Sequence, residues 1–172
     1  MDTLIPTHQP APDFSLPDLD GQIHHLKDYL GQLVIINFWS AECPHVARTD
    51  SELAKLREAW GDQVVLLLIA SNVNEPPELL RTVANARDLS LILHDADHQV
   101  ADSYRALTTP HYFIIDSEGI LRYQGAFDDI TFRQRTATRF YIRQAVEAIL
   151  TGKQPNPEQT RTYGCTIVRH QL

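Results

Sequence analysis

The residue best suited to chemistry in this chain is Cys43, which is followed directly by a proline. It lies between an apolar run, residues 33–36, and an amphipathic stretch over residues 47–56. This spacing predicts a strand, a turn that carries Cys43, and a helix with Pro44 at its first position. The free N–H groups and the positive dipole end of a helix stabilise a thiolate more than a thiol, so a cysteine at this place is a nucleophile near neutral pH.

A second thiol, Cys165, follows 122 positions later, and the sequence has no other cysteine. Two cysteines do not make a structural disulfide framework, and in a reducing compartment a pair is more often catalytic or sensing. Because any thiolate that reaches an oxidised Cys43 can attack it, sequence separation is no obstacle. Cys165 is therefore a candidate resolving thiol; the alternative is a buried packing residue beside Ile167.

Composition limits the remaining function classes. With 172 residues, 43% of them hydrophobic, the chain is long enough for one well-buried domain and short for two. Its net charge of −7 and the absence of a basic block argue against a nucleic-acid partner. No apolar stretch reaches the length of a membrane span, and residues 1–7 lack the features of a signal peptide. We therefore expect a cytoplasmic protein with no membrane partner.

Hydrophobic patterning predicts the elements that must position Cys43. Residues 33–38 and 64–70 are apolar without alternation, which is typical of strands buried on both faces of a sheet. The helix between them gives a βαβ crossover. The fold class is therefore α/β, with a central mixed sheet flanked by helices on both faces. The later elements are predicted as a helix over 78–89, a strand over 91–93, a helix over 99–105, a hairpin of strands over 111–116 and 120–124, and a long helix over 132–150.

The same patterning predicts the domain organisation. Residues 1–152 form one domain, beginning with an extended, proline-rich arm over residues 1–20. Residues 153–172 form a tail that carries Cys165, joined through a linker with prolines at positions 155 and 157.

The order of these elements resembles the thioredoxin fold. Its two landmarks are Trp39 just before the cysteine turn and Thr109-Pro110 just before a strand. In that family the proline is cis and lies opposite the nucleophilic cysteine, where neighbouring backbone binds an extended substrate. The resemblance therefore implies that Trp39, Thr109 and Pro110 bind substrate opposite Cys43.

Within this fold, the chain resembles the redoxins, the branch that includes peroxiredoxins and the alkyl hydroperoxide reductase/thiol-specific antioxidant proteins. Ser40, Cys43 and Pro44 match the Thr/Ser-x-x-Cys-Pro core. The predicted hairpin resembles the one whose arginine orients the peroxide and stabilises the thiolate, a role that would fall to Arg122; the alternative is a solvated hairpin residue. The segment around Cys165 resembles the Gly-Cys-x-Ile tail of a subset of redoxins with a single Cys-Pro active site.

Two departures from these families matter. Val46 stands where thioredoxins carry their second cysteine, so exchange within one helical turn is impossible. Ile36 stands where peroxiredoxins carry a proline, so their peroxide pocket cannot be assumed. His45 follows the Cys-Pro pair; as an imidazolium it would favour the thiolate further, and otherwise it faces solvent in the first helical turn.

We therefore expect a thiol–disulfide oxidoreductase with Cys43 as the attacking thiolate and Cys165 as the resolving thiol. The alternatives are a thiol-dependent peroxidase that uses Cys43, Ser40 and Arg122, and a redox-inactive binding module with this fold. The expected partners are a protein or small-molecule disulfide, or a peroxide, together with an external thiol reductant; a homodimer is compatible with the pattern. No cofactor and no metal are expected, because the pattern of residues His94–His98 is typical of a polar turn.

Overall fold

The computed structural model describes residues 4–89 and 91–170, so the first three residues of the predicted arm lie outside the described part. The strands are β1 (Ser15–Pro17), β2 (Ile23–His25), β3 (Leu33–Trp39), β4 (Val64–Ala70), β5 (Ile92–His94), β6 (Thr108–Thr109), β7 (Tyr112–Ile115), β8 (Leu121–Gly125) and β9 (Cys165–Thr166). The α-helices are α1 (Pro44–Trp60), α2 (Pro77–Ala86), α3 (Gln99–Ser103) and α4 (Tyr141–Leu150).

A central mixed sheet organises the molecule. Within the described residues it has five strands in the order β5-β4-β3-β7-β8. The two continuous apolar runs are β3 and β4, which pair in parallel from Leu33 opposite Val64 to Trp39 opposite Ala70. β7 runs antiparallel to β3, and β8 antiparallel to β7. The α/β fold with a mixed sheet predicted from the sequence is thus confirmed.

Both faces of the sheet are covered, as successive β3 side chains show. Leu33 and Ile35 face one cluster, in which α1 contributes Leu53 and α4 contributes Ile142. Val34, Ile36 and Phe38 face the other, which contains residues of α3 and of the N-terminal arm. Every residue of β3 is buried, which explains why its sequence shows no alternation.

The last helix is shorter than predicted. α4 begins at Tyr141, whereas the sequence pattern predicted a helix from Phe132. The Asp129 carboxylate accepts hydrogen bonds from the backbone N–H and the hydroxyl of Thr138, and the Asp129 N–H donates to the Arg139 carbonyl. These local bonds satisfy backbone groups that a helix would otherwise use. Phe140, the residue directly before α4, is 38% exposed.

Beyond α4, the tail packs against the domain. It first runs along β8, where the Gln124 N–H donates to the Glu158 carbonyl and the Thr160 N–H donates back to Gln124, both at 3.1 Å. Close approach is possible because Gly125, with φ of 141°, has no side chain: a Cβ there would overlap Thr160. The tail then forms β9, which pairs with β6 in a separate two-stranded sheet.

In the part of the chain that the structure describes, none of the helices is both long enough and apolar enough to span a bilayer.

Candidate active site

Cys43 is the residue that immediately precedes α1. Its backbone is extended (φ −78°, ψ 120°), and Pro44 is the first residue of the helix, as predicted. The Cys43 N–H donates to the Ser40 hydroxyl oxygen at 3.2 Å, which closes the turn between β3 and α1. The Cys43 side chain is almost fully buried, with 3% of the residue exposed. The turn therefore holds the thiol at a helix N-terminus, beneath other parts of the chain.

The loop that faces Cys43 is the one that contains Thr109 and Pro110. The peptide bond between them is cis, as the family resemblance implied. The Cys43 thiol donates to the Thr109 carbonyl oxygen, at 3.2 Å from Sγ. The loop is fixed to the end of β3 by a 3.1 Å hydrogen bond from the Phe38 N–H to the His111 carbonyl. The structure thus brings the cis Thr109-Pro110 peptide to Cys43 through Thr109, and the binding of substrate by these two residues stays a prediction.

Cys165 reaches the same place from the tail. In the antiparallel β6–β9 pair it lies directly opposite Thr109. Gly164, just before it, packs so closely on the Thr109 carbonyl that a Cβ would overlap it. Both cysteines are free thiols. Burial, followed by the hydrogen bond and charge interaction with Cys43 and by the charge of Glu75, raises the pKa of the Cys165 thiol to about 12.

Glu75 is a site residue that sequence reasoning missed. Only 4% of it is exposed, and its carboxylate accepts hydrogen bonds from the Ser40 hydroxyl at 2.5 Å and the Ala41 N–H at 2.8 Å. The Asn72 side-chain amide donates to it at 3.3 Å. Glu75 thereby holds the turn that carries Cys43. The sequence does hold one indication of this role, since Glu75 comes shortly after β4. Parallel strands β3 and β4 end at the same edge of the sheet, so a residue after β4 can lie close to the turn after β3.

Trp39 packs beneath the turn that carries Cys43 and has no surface exposed to a substrate. The expectation from the family resemblance that Trp39 binds substrate is therefore corrected. It is fully buried, and its indole N–H donates to Asp50 at 2.8 Å. The Arg87 guanidinium lies over its ring and donates to both Asp50 and the Ala41 carbonyl, each at 3.0 Å. Burial raises the pKa of Asp50, although the bonds from Trp39 and Arg87 favour its charged form.

His45 contacts the tail. Its ring centroid lies 4.8 Å from that of Tyr163 in an edge-to-face arrangement, and the residue is half-buried. The first turn of α1 is therefore one of the surfaces on which the tail packs.

The structure does not bring Arg122 to Cys43, and its expected role at the reacting sulfur is corrected. Arg122 donates to the Asp116 carboxylate at 3.1 Å and to the Gln154 side chain at 2.9 Å. Its neighbour Leu121 pairs with Ile115, which in turn pairs with Val34 at the start of β3. Because Cys43 follows the other end of β3, the two residues lie at opposite ends of the sheet.

Within residues 4–89 and 91–170, no group of three or more His, Cys, Asp or Glu side chains is arranged to hold a metal ion. The site consists of two thiols, a cis-proline loop and a buried carboxylate.

Together, the fold and this site define a thiol protein of the thioredoxin-fold class. Residues 7–124 match the family described as "AhpC/TSA family", and the chain belongs to that family.

Named and solved relatives are consistent with this placement. The chain is 35% identical over 118 residues to the thiol-disulfide oxidoreductase ResA of Geobacillus thermodenitrificans (strain NG80-2), a match that covers 68% of this chain and 67% of the relative. It is also similar to the crystal structure of a hypothetical protein from Sinorhizobium meliloti 1021, with a TM-score of 0.87, 30% identity, and coverage of 98% of this chain and 97% of the other. An uncharacterized conserved protein from Geobacillus kaustophilus gives a TM-score of 0.88, 28% identity, and coverage of 97% and 94%.

Proposed function

We propose that this protein is a thiol–disulfide oxidoreductase in which Cys43 attacks and Cys165 resolves. The observation that carries the proposal is the register of β6 and β9. It sets Cys165 opposite Thr109, the residue whose carbonyl accepts the hydrogen bond from the Cys43 thiol. The tail therefore supplies the second thiol that thioredoxins place at the position of Val46. The activity named for the ResA relative supports the same reaction class.

The proposed reaction is two successive thiol–disulfide exchanges. The Cys43 thiolate attacks one sulfur of a substrate disulfide; the S–S bond breaks, and the first substrate thiolate leaves and takes up a proton. Cys165 then loses its proton and attacks Sγ of Cys43, which forms the Cys43–Cys165 disulfide and releases the second substrate thiolate. The substrate gains two electrons, and an external thiol reductant returns the protein to its dithiol form.

The environment of Cys165 determines the order of these two steps. In the reduced protein, its burial and the adjacent Cys43 raise the pKa of Cys165, so Cys165 stays protonated and does not compete as a nucleophile. Once the Cys43 sulfur is bonded to substrate, it no longer carries the charge that opposes ionisation of Cys165. The resolving thiol therefore becomes easier to ionise at the step that needs it.

Peptide mapping after reaction with one equivalent of a small disulfide tests the proposal. Wild-type protein should yield an intramolecular Cys43–Cys165 disulfide, and the Cys165→Ser variant should accumulate a mixed disulfide on Cys43. The control is Thr166→Ala, which changes an exposed side chain beside Cys165. If Cys43 stays unmodified, or if Cys165 stays a free thiol while Cys43 remains in a mixed disulfide in the wild type, the two-cysteine mechanism is wrong.

Peroxide reduction is the second candidate, and the burial of Cys43 favours it because a peroxide is small enough to reach a sulfur with so little exposed surface. Cys43 would take one peroxide oxygen as a sulfenic acid and release water or an alcohol, and Cys165 would then displace water from it to give the same disulfide. Arg122 would take no part. Peroxide consumption with a thiol donor, compared between wild type and Cys165→Ser, tests this activity.

A further inference from the structure

The last described residues of the chain lie in a cleft at the edge of the sheet where Cys43 lies. The cleft is bounded by the cis-proline loop on one side and by the loop after β4 on the other. The Ile167 N–H donates to the Leu107 carbonyl at 3.1 Å, on the side of the cis-proline loop. On the other side, the Val168 N–H donates to the Asn72 side chain at 2.8 Å, and the Val73 N–H donates to the Val168 carbonyl at 3.0 Å. We call residues 164–169 the tail strand.

The tail strand is anchored by its side chains as well as by its backbone hydrogen bonds. Ile167 is 3% exposed and packs in the core cluster that contains Phe38. Arg169 donates to the Asp102 carboxylate and to the Ala106 carbonyl, both at 2.9 Å. The tail strand is thus held beyond Cys165 by a buried aliphatic side chain, an ion pair and backbone hydrogen bonds, in addition to its pairing with β6.

This docking has a steric consequence for Cys43. The edge of Thr109 that could pair with an incoming extended chain is already paired with Cys165. Cys43 lies beneath that pair, so a bulky disulfide has no approach to its sulfur while the tail strand is in place. A small disulfide needs no backbone pairing with Thr109. To approach the Cys43 sulfur it requires a passage little wider than its own sulfur atoms.

We propose that the tail strand determines the substrate class of this site: it admits low-molecular-weight disulfides and excludes extended polypeptide disulfides. This inference rests on the proposed function and deepens it. The exchange is the one written above, with two small thiols as products and an external thiol as reductant. A polypeptide disulfide reacts only when the tail strand has left the cleft, because both would use the same backbone edge at Thr109.

The close packing of Gly164 supplies the test. Gly164→Ala puts a Cβ against the Thr109 carbonyl and 3.0 Å from the Pro110 ring, while Ser40, Cys43 and Glu75 keep their identities. We expect the tail strand to shift, because the cis-proline loop is held to β3 by the hydrogen bond from the Phe38 N–H to the His111 carbonyl. The matched control is Thr166→Ala on the same strand, where the side chain faces solvent. Both are made in a Cys165→Ser background, so that only the first exchange at Cys43 is measured.

The measurement is the second-order rate constant for loss of the Cys43 thiol with 2-hydroxyethyl disulfide and with insulin. We expect the ratio of the small-disulfide rate to the insulin rate to fall at least tenfold in Gly164→Ala and to stay unchanged in Thr166→Ala. Hydrogen exchange at the Ile167 amide verifies the displacement. If that amide stays protected, Ile167→Asp is used instead, because a buried carboxylate forces the tail strand out.

An unchanged ratio in a variant whose Ile167 amide has lost protection overturns the inference, as does a ratio near one in the Cys165→Ser parent. Failure of the proposed function gives a different result: Cys43 in the displaced variant would react with neither disulfide.

Discussion

The Glu75 carboxylate accepts a 2.5 Å hydrogen bond from the Ser40 hydroxyl and so joins the loop after β4 to the turn that carries Cys43. The same hydroxyl oxygen accepts the N–H of Cys43 at 3.2 Å. Glu75 therefore positions Cys43, the proposed nucleophile, through Ser40. Because it is a buried anion with several donors directed at it, its charge is compensated only while the turn keeps this conformation.

Neutralising Glu75 should loosen this turn. In Glu75→Gln, one of the two acceptor oxygens becomes an NH₂ group that faces the donors of Ser40 or Ala41. We expect a loss of about 2 kcal/mol of unfolding free energy, the usual range for a buried hydrogen bond to a charged group. We also expect the reaction of Cys43 with a small disulfide to slow by roughly tenfold, since the nucleophile is less well positioned.

Urea denaturation and single-turnover kinetics measure both effects. The matched control is Glu78→Gln, which changes an exposed glutamate in the first turn of α2. Equal stability and equal rates for the two variants would show that Glu75 does not hold the turn.

Alkylation should distinguish the two thiols. Because burial and Cys43 raise the pKa of Cys165 to about 12, its thiolate is scarce at pH 9, and alkylation of Cys165 in the reduced protein should be slow. Replacing Cys43 by alanine removes the second of these causes, so Cys165 should be alkylated faster in Cys43→Ala than in the wild type. Mass spectrometry of iodoacetamide-treated protein over a pH series measures both rates. Identical Cys165 rates in the two proteins would contradict the coupling between the sulfurs.

His111 should make the protein sensitive to acid. Its ring is 1% exposed, and burial lowers its pKa from 6.5 to about 3. Between these values the unfolded chain binds a proton that the folded protein does not, so stability falls as the pH drops from 6.5 towards 3. The slope from this group is about 1.4 kcal/mol per pH unit in that window.

The variant His111→Asn removes this contribution and keeps an acceptor for the Leu107 N–H, which now donates to Nδ1 at 3.3 Å. Unfolding free energies at pH 7, 6, 5 and 4 should show a shallower acid dependence than in the wild type, whatever the offset at pH 7. The exposed His170→Asn is the control and should keep the wild-type slope. Parallel pH profiles for all three proteins would exclude the assignment.

Gly125 should be required for the path of the tail along β8. In Gly125→Ala the Cβ meets Thr160, and φ of 141° is unfavourable for alanine, so we expect a loss of at least about 2 kcal/mol of stability. Gly152→Ala is the matched control: its φ is also positive, at 76°, but a Cβ there has open space, and the cost should be about 1 kcal/mol. Thermal or urea denaturation compares them, and equal losses would mean that the contact with Thr160 is unimportant.

Sequence patterning predicted the sheet well because β3 and β4 are apolar throughout, and it placed Cys43 correctly because Pro44 marks the helix start. It could not give the register that separates Arg122 from the site, since strand pairing depends on the whole sheet. It missed Glu75 because a single glutamate in a polar loop has no periodic pattern. The cytoplasmic location and the homodimer stay predictions.

The 122 positions between Cys43 and Cys165 would give the proposed disulfide between them a larger effect on stability than a thioredoxin-type pair has. Closing so long a loop removes much more entropy from the unfolded chain than closing one helical turn: about 5 kcal/mol against roughly 2 in the chain-entropy description. Oxidation would therefore raise the global resistance of the protein to unfolding. Its lifetime under heat or proteolysis would then report its redox state.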